Sequence, residues 1–407
     1  MGITITNNAG RVLELKPLTQ DQINETRGMT NKRPEILEKF LKRAPDPDIK
    51  FVPEYEYRAF IFSVPSLTSE YISLLAEQAK IASNILSASP DTTITFFTRD
   101  RDHIPVIRNV LLKRSPELAD LVKQGRIKFA VTDIGAGDVW AQDWGEPTGG
   151  KGGSIVHGMV HEQYAERGWR RGAIFNGAQA RNAGLMPDIE IPVVLQGGNF
   201  TKAVSRNGRK FVFVGSNDII YTKDIYCEKY RYDISDQEIM KIYKTAFNAD
   251  EIVVLGEGEK QPESMFHIDQ AVFFPKAGTA VIVCPDDCDP ASSDPEQLEI
   301  MRALDSYRVQ LAKAGFEVIE IPTTFKNIFG FQAYTNSIAI QENGRCRVIM
   351  PSFRLRKQLE STIKAILAGH GIEVIYIDNH TYKDKGNTHC ITGQISYFRP
   401  AVENPLT

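Results

Sequence analysis

Three short segments of the chain gather residue types that can do chemistry together. The one nearest the C-terminus is Gly386-Asn-Thr-His-Cys390, followed by Ile-Thr-Gly393. A cysteine in a Gly/Asn/Thr turn lies close to amides that lower a thiol pKa and can hold an oxyanion. Cys390 is therefore a candidate nucleophile, whereas Cys227 and Cys346 stand in ordinary strand or loop settings and read as small buried hydrophobes. The second segment, Met265-Phe-His-Ile-Asp269, runs into Gln270-Ala-Val-Phe-Phe274. In extended backbone, positions i and i+2 share a face, so His267 and Asp269 would form a proton-shuttling pair. The alternative is a single satisfied structural histidine. The third segment is Thr132-Asp-Ile-Gly-Ala-Gly-Asp-Val-Trp-Ala-Gln-Asp-Trp-Gly-Glu-Pro147. Its carboxylates stand beside Trp140 and Trp144, and a carboxylate next to an aromatic face suits a planar cation. A turn with an aromatic packed beneath it is the other reading.

Each segment comes just after a strand pattern, so the elements that must hold them are those of an alternating α/β chain. Strand patterns run over Tyr57–Ser63, Thr92–Phe97, Ile127–Thr132, Phe211–Val214, Glu251–Leu255, Ala280–Cys284, Val318–Ile321, Arg347–Met350 and Val374–Ile377. Helical apolar spacing covers Leu67–Ser83, Ile104–Leu121 (a helix or helix pair), Asp236–Phe247, Asp294–Ala314 and Arg354–His370, the last stopping at Gly371. No glycine-rich phosphate loop joins a strand to a helix. Gly149-Gly-Lys-Gly-Gly153 lacks the helix such a loop needs and reads as a flexible connection. Residues 1–50 are polar and are expected to form an N-terminal extension or cap on the domain of residues 51–407.

Composition narrows the classes of function. The chain has 407 residues, 42% hydrophobic and 24% charged, ample for a large core. A net charge of -3 without a basic tail argues against nucleic acid as a partner. Arg167-Gly-Trp-Arg-Arg171, the one dense basic stretch, reads as a solvated face. The five cysteines, at 227, 284, 288, 346 and 390, suit a reduced compartment rather than a disulfide framework. Cys284 and Cys288 have no His or Cys pair nearby to complete a zinc site. Asp286-Asp-Cys-Asp289 offers oxygen donors for calcium but follows no EF-hand spacing, so calcium dependence stays open. No apolar run reaches the ~20 residues of a bilayer span. The N-terminus has no secretion signal, and its match of Gly2 with Thr6 to the myristoylation pattern is read as chance. A cytoplasmic location is the expectation, with the oligomeric state open.

The three segments, in this order, resemble the guanidino-group-modifying (pentein) superfamily. Asn-Thr-His-Cys-Ile-Thr is similar to the agmatine deiminase nucleophile segment, and Trp140-Ala-Gln-Asp143 looks like the peptidyl-arginine deiminase form of the first aspartate motif. Leu195-Gln-Gly-Gly-Asn199 is similar to a further segment, usually Glu-Gly-Gly, and Tyr334-Thr-Asn-Ser with Val-Ile-Met-Pro351 resembles the region before the nucleophile. The resemblance implies an α/β propeller of five ββαβ-type units about a pseudo-fivefold axis, with the site in its central channel. It implies Asp143 and Asp269 on the guanidinium nitrogens, His267 as general acid/base and Cys390 as covalent nucleophile. Trp140, Gln196, Gly198 and Asn199 would line the substrate site. No metal or organic cofactor is needed for thiolate attack, protonation of the departing nitrogen and hydrolysis of the thiouronium.

One departure is visible. Where arginine deiminases carry a glutamate that orients the histidine, this chain has Gln196, which can hold the ring but supplies no charge for an imidazolium. His389 is expected to point away from the site if its backbone is extended. The expected function is a deiminase acting on protein- or peptide-bound arginine. The alternatives are an agmatine deiminase, an amidinotransferase in which an amine resolves the thiouronium, and a non-catalytic arginine-binding protein.

Overall fold

Strand and helix patterns that alternate along a chain build small sheets with crossover helices, and this chain forms five such sheets, four of them with the crossover helix among the described residues. A computed structural model describes residues 3–6, 12–15, 33–64, 66–98, 100–131, 141–150, 155–159, 188–256, 258–287, 294–353, 357–379 and 387–395. An antiparallel hairpin of β1 (Ile3–Thr6) and β2 (Val12–Leu15) precedes helix α1 (Arg33–Lys42). Leu37 and Phe40 on α1 are buried in one cluster with Val156, Ile191 and Tyr243, so this helix shares the core of the chain that follows.

The first sheet contains β3 (Ala59–Val64), β4 (Thr93–Thr98) and β5 (Ile127–Val131), all parallel, with helix α2 (Ser69–Ala88) crossing between β3 and β4. The next four sheets repeat one plan, an antiparallel pair followed by a parallel strand. They are β6 (Glu146–Pro147) with β7 (Ile155–Met159) and β8 (Asp188–Val194), then β9 (Phe200–Val204) with β10 (Lys210–Gly215) and β11 (Glu251–Leu255). After these come β12 (Val272–Lys276) with β13 (Thr279–Pro285) and β14 (Glu317–Thr323), and β15 (Ile338–Glu342) with β16 (Arg345–Ser352) and β17 (Ile372–Asp378). A last strand, β18 (Gly393–Ile395), pairs antiparallel with β3. The C-terminal end thus supplies the missing first strand of the first unit, giving five ββαβ-type units closed on themselves.

Local sequence explains the elements. Helix α3 (Asp236–Phe247) buries Ile239, Ile242, Tyr243, Ala246 and Phe247, the i, i+3, i+4, i+7, i+8 stripe of a helix lying on a sheet. It starts with a capping box, Ser235 accepting from the Glu238 amide while Glu238 accepts from the Ser235 amide. The β15–β16 hairpin turns at Asn343 and Gly344, with φ of 49° and 78°, the left-handed pair that a two-residue turn requires. β13 lies between two neighbours and is buried almost throughout, hence its continuous apolar run. The expected strands and helices are present, most with ends shifted by one to three residues. The patterns do not give β1, β2, β6, β7, β8, β9, β12, β15 or β18; in β9 and β15, short hairpin partners, Lys202 and Gln341 interrupt the apolar runs. No helix among the described residues is long and apolar enough to cross a membrane.

Candidate active site

Closure of the ring brings the residues before β18 beside segments from the first, second, third and fourth units. Cys390 lies in a turn, not in extended backbone: the Ile391 amide donates to the Asn387 carbonyl and the Thr392 amide to that of His389. Asn336, fully buried just ahead of β15, fastens this turn. Its Oδ1 accepts from the amides of His389 (2.9 Å) and Cys390 (3.2 Å). Its Nδ2 lies 3.0 Å from Cys390 Sγ and 2.6 Å from Asp269 Oδ2. Sγ itself is 3.7 Å from the same Oδ2. A side-chain amide aimed at a sulfur favours its thiolate form.

His267 and Asp269 stand on one tight turn, a different local geometry from the extended strand expected. His267 is extended, with φ −121° and ψ 144°, and caps a 3-10 turn over Ile268–Gln270 that carries Asp269. Both side chains are buried. Asp269 Oδ2 meets Asn336 and, at 3.3 Å, His389 Nδ1. Its Oδ1 is buried with no hydrogen-bond partner among the described residues. A buried carboxylate oxygen left without a donor is costly, and a guanidinium N–H would satisfy it.

Gln196 stands against His267, as the resemblance implies, with Nε2–H of the ring donating to Oε1 at 2.8 Å. This fixes the tautomer and leaves Nδ1 with its lone pair. Burial pulls the pKa of His267 down to about 4, although Asp269 pulls the other way. The ring is therefore neutral at neutral pH. The Phe266 ring packs beside it at 4.4 Å between centroids.

The Gly197-Gly198 pair is a steric necessity. A Cβ on Gly197 would collide with the Gln142 carbonyl, and one on Gly198 with the His267 ring at Nδ1. Asn199 has an internal part rather than the substrate-lining one expected. Its Nδ2 donates to Asp218 Oδ1 (2.9 Å) and its Oδ1 accepts from the Ile268 amide (3.2 Å). Asp218 also accepts from the Gln196 amide at 3.0 Å, so one buried carboxylate clamps both ends of the Gln196–Asn199 turn. Trp140 lies outside the described residues. Asp143 falls on the 3-10 turn Ala141–Trp144, and only its backbone is described.

His389 is the main difference from expectation. It faces the site because the turn at Asn387–Thr392 breaks the alternation that extended backbone would impose. Gln142, like Asn336, is a residue the sequence did not single out. Its amide N–H donates to the Cys390 carbonyl at 3.3 Å. Its side-chain Nε2 lies 3.0 Å from the Gly197 carbonyl and 3.2 Å from His389 Nε2. One residue thereby joins the Ala141–Trp144 turn, the glycine pair and the turn that carries Cys390. Burial opposes charge on His389, but the hydrogen bond to Asp269 and the carboxylates of Glu54, Asp269 and Glu146 outweigh it, raising its pKa. Among the described residues no group of three or more His, Cys, Asp or Glu side chains is placed to hold a metal ion, and Cys288 and Asp289 lie outside them.

The family model described as Porphyromonas-type peptidyl-arginine deiminase matches residues 62–396, a span that contains Gln142, Gln196, His267, Asp269, Asn336 and Cys390. The chain belongs to this deiminase family. Among solved structures it is similar to C. jejuni agmatine deiminase, with a TM-score of 0.61 and 15% identity over 86% of this chain and 96% of that one. It is also similar to agmatine deiminase of Enterococcus faecalis, with a TM-score of 0.58 and 14% identity over 87% and 99% of the two chains. At such identities the likeness establishes the fold, the five-unit α/β propeller. No curated protein matches the sequence.

The crowding at the glycine pair gives this deiminase its first expected result. Gly198→Ala forces the His267 ring off its hydrogen bond to Gln196, because the new Cβ cannot coexist with Nδ1. Displacing a reacting group by about 1 Å costs on the order of 10²-fold. Steady-state kinetics should show kcat/KM reduced by about that factor, and wild-type efficiency would contradict the placement of the ring.

Proposed function

We propose that the protein hydrolyses the guanidinium of protein- or peptide-bound arginine to a ureido group and ammonia, with Cys390 as nucleophile. The observation that carries this reading is the position of Cys390 Sγ. It is held by Asn336 at 3.0 Å and sits 3.7 Å from a buried carboxylate whose other oxygen has no partner among the described residues. A guanidinium is flat, cationic and rich in donors, so Asp269 Oδ1 and Asp143 would hold its nitrogens and present its carbon to sulfur. The neutral His267 then acts first as a base, taking the thiol proton as the S–C bond forms. It returns that proton to the departing nitrogen as ammonia leaves the tetrahedral adduct. Water attacks the resulting S-alkylthiouronium with His267 again as base, giving the ureido product and the free thiol.

Two observations support the peptide-bound substrate: the family model is of a peptidyl-arginine deiminase, and Trp140-Ala-Gln-Asp143 resembles that branch. A second reading, agmatine, rests on the Asn-Thr-His-Cys-Ile-Thr segment and its likeness to agmatine deiminases. An ammonia-release screen over arginine peptides, agmatine, free arginine and dimethylarginine separates them. Release from arginine peptides is the expected result; release from agmatine alone would overturn it.

The histidine's protonation supplies a second test. In the free enzyme the base needs the neutral ring, so the acid limb of kcat/KM reports His267. Gln196→Glu places an anion 2.8 Å from Nε2, which favours imidazolium and raises the pKa from about 4. The acid limb should therefore move to higher pH, with activity lost near pH ~5 and retained near pH ~8. A rise of one unit corresponds to about 1.4 kcal/mol of added ion-pair interaction. A profile measured between about pH 4 and pH 9 that does not move would remove His267 from the base role.

A further inference from the structure

The reaction as written uses one oxygen of Asp269, and it leaves unexplained why a histidine should crowd the other. His389 is buried and has polar neighbours on both sides of its ring. A carboxylate only accepts, so the proton on this edge belongs to Nδ1, which donates to Asp269 Oδ2 at 3.3 Å. At the far edge Nε2 lies 3.2 Å from Gln142 Nε2, whose other hydrogen reaches the Gly197 carbonyl at 3.0 Å. In the neutral ring the arrangement closes only if Nε2 accepts, so Gln142 selects the Nδ1–H tautomer that Asp269 requires; in the protonated ring Nδ1 still donates to Asp269.

Around this ring lies a buried charged group. Glu54 Oε2 is 3.9 Å from His389 Nε2. Glu146 pairs with Lys202 at 3.2 Å and accepts from Tyr57 at the same distance, and the Lys202 ammonium also lies 5.1 Å from the Tyr57 and Phe247 ring centres. Burial raises the pKa of both Glu54 and Glu146, and lowers that of Lys202. Among the described residues Asp269, Glu54 and Glu146 are the ionisable groups whose charges act on His389, with Lys202 and Tyr57 bound to Glu146 and Cys390 next in sequence. Glu54 borders the ring, and Glu146 with Lys202 forms a buried ion pair in the same group.

We propose that His389 is a positioning residue for guanidinium binding: with Asn336 it saturates Asp269 Oδ2, so that Oδ1 alone is presented to the substrate. Two donors on one oxygen fix the plane of the carboxylate. A carboxylate free to rotate would instead turn either oxygen towards Asn336 and would offer the guanidinium no constant acceptor. The same donors draw charge from Oδ2, which otherwise stands 3.7 Å from Cys390 Sγ and would oppose its ionisation. The inference rests on the deiminase reading of the site, and deepens it by naming a residue that acts through Asp269.

The test compares His389→Ala, which removes the donor, with His389→Asn, whose amide nitrogen occupies nearly the place of Nδ1. Steady-state kinetics on the best guanidino substrate should show His389→Ala losing about thirtyfold or more in kcat/KM, with a raised KM carrying part of it. His389→Asn should return to within about threefold of wild type. A donor needed only for folding would lower thermal stability and leave kcat and KM of the folded fraction unchanged. The second readout needs no substrate: alkylation of Cys390 by iodoacetamide as a function of pH. The midpoint should move to higher pH in His389→Ala and stay in place in His389→Asn, because only the former leaves Oδ2 less neutralised beside the sulfur. If the wild-type protein releases ammonia from no guanidino compound, the proposed function falls, and the alkylation curves alone decide the inference. Wild-type kcat/KM and midpoint in His389→Ala, or equal impairment in both variants, would overturn it.

Discussion

Cys390→Ala will abolish ammonia release and leave the fold intact. The side chain is half-buried in a turn, and the backbone bonds that hold it come from Asn336, Asn387 and Gln142, none of which needs the sulfur. Thermal stability should change by no more than about 1 kcal/mol. Turnover should fall by at least about 10⁴-fold, the scale on which removal of a covalent nucleophile acts. Cys390→Ser is expected to behave alike, since a serine hydroxyl beside a carboxylate has no strong base to ionise it. The other described cysteines provide the control. Cys346 is buried, donates to the Pro275 carbonyl and has its thiol pKa pushed up by burial to about 12, so Cys346→Ser should keep the chemistry at some cost in stability. Cys227 is exposed, and Cys227→Ser should alter neither. Measured kcat/KM and melting curves of the four variants check this.

Asp269→Asn should produce the second-largest loss. The amide keeps the shape, and one of its ends can still meet Asn336, but the negative charge on the buried oxygen facing the guanidinium is gone. Removal of a charged acceptor from a desolvated, charge-assisted pair costs about 2–4 kcal/mol, or roughly 30- to 1000-fold in kcat/KM. Asp143→Asn should cost a similar amount if it holds the other nitrogens. A neutral variant with wild-type kcat/KM would remove that residue from guanidinium recognition.

The legible part of this protein was what lies close in sequence. The α/β class, half of the strands and the long helices follow from apolar periodicity over ten to twenty residues. Cys390, His267 and Asp269 stood out because each chemical type sits within a few residues of turn-forming or acidic neighbours, and Gln196 stood out against a family pattern. What could not be read is what closure of the ring creates. Asn336 bonds to Asp269 and Cys390 across separations of 67 and 54 residues, and His389 reaches Asp269 across 120. No local signal encodes such contacts. His389 was assigned to the wrong side because alternation holds only in extended backbone, and hydrogen bonds at Asn387–Thr392 make that stretch a turn. The pairing of β18 with β3 was equally hidden, since three residues near the end of a chain carry no periodicity to recognise.

The cold side of His267 was also not visible in the sequence. Next to Asp269 it suggested a proton-shuttling pair with no sign of its resting charge, and burial outweighs that neighbour and leaves the ring neutral. The proton for the leaving nitrogen therefore comes from Cys390 itself in the proposed sequence of steps. This makes the thiol and imidazole a single unit for proton transfer, and it is why Gln196→Glu is expected to act on the acid limb.

The most direct test of the account is to look for the bond it requires. Enzyme in excess over the best guanidino substrate should be quenched in acid during a single turnover and digested. Mass spectrometry of the Cys390 peptide should then show an S-alkylthiouronium adduct that forms as ammonia is released and decays as the ureido product appears. Ammonia released at the full rate with no adduct on Cys390, and an undiminished rate in Cys390→Ala, would contradict the covalent mechanism.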